Sequence, residues 1–184
     1  MSFKINTIET APEKAKPILE GAKAKLGFVP NLYGVMSESP ELLKAYLTVS
    51  ELLAGTSFSP TELQTVLITA SYVNNCDYCV AAHSVISSMQ GVPGDVVESV
   101  RGNKQIADAK LDALRKFTFE MVDKRGFVSE DAKTSFLAAG YTAKNILEVI
   151  LCVGLKTMSN YTNHIAETPL DAAFESAKWQ KAAA

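Results

Sequence analysis

The feature that most limits what this chain can fold into is its helix punctuation. Ser39-Pro40 supplies a hydroxyl cap followed by proline at the first helical position, and Leu42, Leu43, Tyr46, Leu47 and Leu53 follow at helical spacing until Gly55. Ser59-Pro60-Thr61-Glu62 reads as a capping box, and the helix it opens carries Leu63, Val66, Leu67 and Ala70 on one face to about Val73. Further helices are expected from about Asn75 through His83 to Met89, from Pro93 to Val100, from Asp108 to Lys124, from Ser129 to Ala139 and from Ala143 to about Tyr161, the last capped by Thr142. Glycines at 91, 102, 126 and 140 stand at the intervening stops. Strand-like alternation is absent, so the expected fold class is all-α. The N-terminal part is less regular: Thr10 to Leu26 is expected to be helical despite Pro17 and Gly21, and Phe28 to Asn31 is a turn into a short helix. The stretch after Thr168-Pro169 is small and polar and is expected to be mobile.

With 184 residues, the chain is expected to form one domain spanning 1–184. A quiet internal repeat lies within it. Laying Leu63 to Ile68 over Leu147 to Cys152 puts Cys76 and Cys79 on Asn160 and Asn163, and Gln64 on Glu148. The redox-active repeat then covers about 38–101 and a degenerate second repeat about 108–168.

Charge excludes some partners. The net charge of -2 comes from basic and acidic side chains spread along the chain, and no basic block is available to neutralise a phosphate backbone. The longest apolar run, Ile146 to Leu155, is broken by Glu148 and is too short for a membrane span. The N-terminus lacks the apolar region of a signal peptide. Three cysteines, two of them close together, fit a reducing cytoplasmic setting better than a secreted disulfide scaffold.

Cys76, Cys79 and His83 carry the chemistry. Residues spaced three, four and seven apart share one helical face, so both thiols and the imidazole point the same way. Thiols at a helix start can close a disulfide, and the free amides there favour a thiolate, which is the nucleophile. By this argument Cys76, nearer the helix start, is the more acidic thiol. Competing readings are packing alone, or zinc, which needs four ligands where only three are local. A c-type haem is excluded because Val80, not histidine, follows Cys79. Cys152 reads as an inert core residue, His164 as a capping or interface residue, and Glu148 either faces a polar cavity or pairs with a charge.

Ser59-Pro60-Thr61-Glu62-Leu63-Gln64, an apolar helix, and then Cys76-x-x-Cys79-x-x-x-His83 resemble the AhpD-like alkylhydroperoxidases of the carboxymuconolactone decarboxylase family. The peroxidase-related branch is the nearer resemblance, through Gly27 to Leu32, Ser39-Pro40, Gly140-Tyr141 and Asn160-Tyr161. The resemblance implies an all-helical fold of duplicated origin, assembled as trimers or hexamers, that reduces alkyl hydroperoxides or hydrogen peroxide without a metal or bound cofactor. Cys79 would attack the peroxide, Cys76 would resolve the sulfenic acid to a Cys76–Cys79 disulfide, and a lipoyl- or thioredoxin-type dithiol would reduce it. His83 would belong to the proton relay.

Two departures bear on this. The family's pattern has a glutamate base twelve residues before the first cysteine, where this chain has Gln64, and an amide cannot accept that proton. Glu62 points roughly 200° away on the same helix, so Glu148, which stands opposite Gln64 in the second repeat, is the candidate substitute. Tyr78 stands between the cysteines where the best-known members have histidine, and is a further relay candidate. The alternative functions are a carboxymuconolactone-type decarboxylase, and a non-catalytic redox sensor or binding module using the reversible disulfide.

Overall fold

The computed structural model describes residues 3–181. Among the described residues there are nine α-helices and two short 3-10 turns, and no strand. The helices are α1 (Lys16–Leu26), α2 (Asn31–Met36), α3 (Pro40–Leu52), α4 (Pro60–Val73), α5 (Asp77–Met89), α6 (Gly94–Arg101), α7 (Ala109–Asp123), α8 (Glu130–Ala138) and α9 (Ala143–Ala166). The all-helical class read from the punctuation is therefore what the chain adopts. No single helix among the described residues is long and apolar enough to cross a membrane.

The caps work as the sequence suggests. Ser59 accepts from the Glu62 amide while the Glu62 carboxylate accepts from the Ser59 amide, and Ser39, Asp108, Ser129 and Thr142 cap their helices through their side chains. Every residue of α4 from Gln64 to Ser71 is buried, which makes it the central helix, packed by α5, α6, α7 and α9. A stack of Phe117, Phe136 and Tyr141, with ring centroids 4.2 and 4.5 Å apart, ties α7 and α8 to the start of α9.

Three boundaries differ from expectation. The first helix starts only at Lys16, with Pro17 in its first turn. The last runs on to Ala166, ending where Glu167 turns left-handed at φ 48°. Between α4 and α5 the chain breaks at Asn75, which has φ 55°, so Cys76 is the N-cap residue of α5 rather than part of its helical face.

The expectation of a mobile C-terminal stretch is corrected for residues up to 181, and its last part, 182–184, lies outside the described residues. The Asp171 carboxylate accepts from the Tyr78 hydroxyl and from the Asn31 amide at 3.0 Å. Phe174 is buried edge-on to both Phe28 and Tyr78, and Trp179 donates to the Arg101 carbonyl at 3.1 Å. Two aromatic side chains and one aspartate outweigh the small polar residues around them, and the segment is pinned across α5.

Gly34 in α2 marks a close approach. Its carbonyl accepts from the Asn6 amide at 3.2 Å, and a Cβ there would lie 2.7 Å from the Asn6 carbonyl oxygen and 2.8 Å from Ile5 Cγ2. Gly34→Ala is expected to destabilise the protein by about 1–3 kcal/mol, through displacement of the N-terminal segment. A lowered urea midpoint with an unchanged slope is the expected measurement.

Candidate functional site: a buried dithiol facing a polar helix end

The site forms where the start of α5 meets the last turns of α9. The buried face of α9 steps through Val149, Cys152 and Leu155, and then turns polar at Lys156, Ser159, Asn160 and Asn163, all still buried. That polar stretch lies against the two cysteines. Cys76 and Cys79 are free thiols, 1% and 2% exposed. Asn163 Nδ2 donates to both, at 3.3 Å from Cys79 Sγ and 3.6 Å from Cys76 Sγ, and Ser159 Oγ lies 3.6 Å from Cys79 Sγ. Asn163 Oδ1, buried beside them, has no hydrogen-bond partner among the described residues.

These contacts separate the two thiols electrostatically. Burial opposes ionisation of Cys79, but the Cys76 thiol, the Lys156 ammonium and the Ser159 and Asn160 side chains together offset it, holding Cys79 well below the ordinary thiol range. Cys76 moves the opposite way, chiefly because its S–H is engaged with Cys79 and because it is buried. The first-turn argument had favoured Cys76 as the acidic thiol. It fails because Cys76 sits outside the helix and acts as hydrogen-bond donor to its neighbour, while Cys79 receives the donors of α9.

His83 lies one turn beyond Cys79. Its Nδ1 is 2.9 Å from Gln64 Oε1, and its Nε2 is 2.8 Å from Lys156 Nζ. An ammonium can only donate and a carboxamide oxygen can only accept, so the ring is neutral with its proton on Nδ1. Burial first, and then the adjacent Lys156 charge, keep it far below its usual value. Gln64 Nε2 in turn donates to Gln90 Oε1 at 3.0 Å, and Gln90 is exposed. A hydrogen-bonded line therefore runs from Lys156 through His83 and Gln64 to the surface.

Among the residues singled out from sequence, Cys76, Cys79, His83 and Gln64 come together. Tyr78 and Glu148 are bonded elsewhere. The Tyr78 hydroxyl donates to Asp171, and the Glu148 carboxylate accepts from the Ser57 amide at 2.9 Å, the Ser57 hydroxyl at 2.6 Å and Asn145 Nδ2 at 3.2 Å, with Lys144 Nζ 3.5 Å away. Glu148 thus meets both readings offered for it, a polar niche and a charge partner. Cys152 is fully buried and pushed up to about 12, mainly by burial, which suits an inert core thiol. His164 is exposed in the last turn of α9. Among the described residues no three His, Cys, Asp or Glu side chains cluster as a metal site.

Lys156, Ser159 and Asn163 were not found from sequence. The signal was present: they continue at three- and four-residue steps the stripe that begins with Val149 and Cys152, and polar residues on an inward stripe face something polar. The repeat alignment had also placed Asn163 opposite Cys79.

Comparison with known proteins shows what the chain is similar to. No curated protein sequence matches the chain significantly. In fold it is similar to a peroxidase-related protein with the alkylhydroperoxidase AhpD core from Ralstonia eutropha JMP134, with TM-score 0.82, 19% identity, and 94% and 93% of the two chains covered. A peroxidase-related protein from Silicibacter sp. TM1040 is similar at TM-score 0.80 and 18% identity, covering 95% and 92%. The debrominase Bmp8 in complex with 2,3,4-tribromopyrrole is similar at TM-score 0.73 and 18% identity, covering 90% and 89%. At such identities the likeness is one of fold. The model of the carboxymuconolactone decarboxylase family matches residues 40–117, the segment that holds Gln64, both thiols and His83. That match takes in 40–117 of the chain, and over the described residues the fold is similar to the AhpD-like architecture.

Proposed function

We propose that the protein is an enzyme of antioxidant defence, a thiol-dependent reductase of alkyl hydroperoxides or hydrogen peroxide. The observation that carries this reading is the buried dithiol set against the polar end of α9, where Asn163 donates to both sulfurs and Ser159 lies beside Cys79, an arrangement that lowers Cys79 and raises Cys76. The Cys79 thiolate attacks the terminal peroxide oxygen, the O–O bond breaks, and the alkoxide leaves as Cys79 becomes a sulfenic acid. The Cys76 sulfur then attacks Cys79, the S–O bond breaks, and hydroxide departs with the Cys76 proton as water. An external dithiol of lipoyl or thioredoxin type reduces the Cys76–Cys79 disulfide. Gln64 fixes the His83 tautomer, and His83 lies on the proton path. The carboxymuconolactone-type decarboxylation does not need paired thiols, so the dithiol counts against it.

A reducing cytoplasmic setting belongs to the same reading, since both cysteines must start as thiols. So does assembly into a trimer or hexamer. The outer face of α9 leaves Leu147, Ile150 and Ile165 67%, 49% and 69% exposed, an apolar stripe of the kind that subunit interfaces cover.

The test is a titration of free thiols before and after stoichiometric peroxide, followed by a screen of dithiol reductants for turnover. The expected result is the loss of two thiols per chain and multiple turnovers with at least one dithiol. A disulfide that forms once and sustains no turnover with any reductant would instead identify a redox sensor, the reading that the amide at Gln64 favours.

A further inference from the structure

We propose that the Lys156 ammonium, held in place by His83, is the ionisable member of the proton path: the counter-ion of the Cys79 thiolate, and the store from which the leaving oxygen takes its proton. This rests on the peroxide-reductase reading, and it supplies the residue that lets such a site run without a carboxylate at position 64.

Lys156 is 0% exposed, and no carboxylate lies within ion-pair distance of its Nζ among the described residues. A buried ammonium is stable only beside compensating charge and good acceptors. The titratable groups that face it are Tyr33 from α2, Cys76 from the loop before α5, Cys79 and His83 from α5, and Cys152 one turn back on α9. Burial keeps Tyr33 and Cys152 protonated, Cys76 is the thiol partner, and His83 is neutral. Cys79, the one group among them that is lowered toward its anionic form with Lys156 among the causes, is the candidate for the compensating charge.

The amide at Gln64 acquires a reason. A carboxylate there would compensate Lys156 across the imidazole and compete with the thiolate for the same cation. An amide holds the ring, through its oxygen on Nδ1–H, and leaves the Lys156 charge for Cys79. The carboxylate and the lysine are thus alternative ionisable groups at opposite nitrogens of one histidine.

The cycle then balances inside the site. It starts with Cys79 as thiolate, Cys76 as thiol and Lys156 as ammonium. When the O–O bond breaks, the alkoxide takes a proton from Lys156 Nζ, whose remaining N–H groups are not used by His83, giving the alcohol and a neutral amine. Disulfide formation releases water with the Cys76 proton. The net charge of the site is zero before and after, so oxidation exchanges no proton with solvent. The reducing dithiol returns two electrons and two protons, one to Cys76 and one to Lys156.

Two measurements test this. In the first, Cys79 of wild type, Lys156→Met and Lys156→Arg is alkylated with iodoacetamide across pH and quantified by peptide mass spectrometry. The expected result is a profile raised by a pH unit or more in Lys156→Met and kept low in Lys156→Arg. Coincident profiles in wild type and Lys156→Met would overturn the proposal, as would an equal rise in both variants. The second needs no variant: proton exchange is followed with an indicator dye while one equivalent of hydrogen peroxide oxidises wild type at a pH where alkylation shows Cys79 ionised. No net exchange is expected, and uptake of one proton per disulfide would overturn the proposal. If peroxide forms no disulfide at all, the peroxide reading fails by itself, while the alkylation profiles, which use no peroxide, still decide whether Lys156 is the counter-ion.

Discussion

Cys79→Ser is expected to lower thiol-dependent peroxide consumption by roughly a thousandfold or more, to background, because a serine hydroxyl offers no comparable nucleophile at neutral pH. Cys76→Ser should behave differently. Its hydroxyl can still donate to the Cys79 sulfur, so the first attack survives and the sulfenic acid accumulates without forming a disulfide. A sulfenate-reactive probe, read by mass spectrometry, should label Cys79 in that variant and give little signal in wild type. Undiminished turnover in either variant would remove the two-cysteine cycle. The pH dependence follows from the separated thiols. Cys79 is depressed on folding, so its contribution to stability is fully present above the ordinary thiol value of 9.0 and is lost as pH falls through its lowered folded value. Cys76 is raised, so its contribution is present below that ordinary value and is lost as pH rises towards its folded one. Attack on peroxide should track Cys79 and stay level from 9.0 downward until the pH reaches its folded value.

The second large effect is on stability. His83→Ala removes the acceptor on which Lys156 Nζ rests at 2.8 Å, leaving a fully buried ammonium without that partner. Orphaning such a group costs about 3 kcal/mol or more, a large share of the ~5–15 kcal/mol by which a domain is stable. Lys156→Met alone should cost less than His83→Ala, since the Cys79 thiol can take up a proton when its counter-ion is lost, whereas the buried ammonium keeps its charge when His83 is removed. The double variant His83→Ala, Lys156→Met should recover most of the loss, which is a strong non-additivity expected of directly bonded partners. Urea unfolding of the three variants measures it. A double variant as unstable as His83→Ala would mean that the histidine contributes by packing, not by holding the lysine.

How far the site could be read from sequence depended on distance along the chain. Helix starts were legible because hydroxyl caps and prolines act within one turn, as at Ser59 and Thr142. Gln64 and His83 were legible too, because each belongs to a local motif. Asn75 was not: its left-handed turn, which removes Cys76 from the helix, depends on how α4 must bend to lay α5 beside it. Lys156, Ser159 and Asn163 were hidden for another reason. Each is unremarkable on its own helix and acquires meaning only opposite the thiols some 80 residues away. The C-terminal segment was misjudged because its average polarity hid Phe174 and Asp171, two side chains whose partners are also remote.

The docking of α9 onto the start of α5 also sets the timing of reactivity. In a chain still emerging or not yet folded, Cys79 lacks its donors on α9 and is an ordinary thiol, mostly protonated near neutral pH. Its heightened acidity arises only when Lys156, Ser159 and Asn160, far along the chain, have closed over it. Maturation of the fold and arming of the nucleophile are the same event.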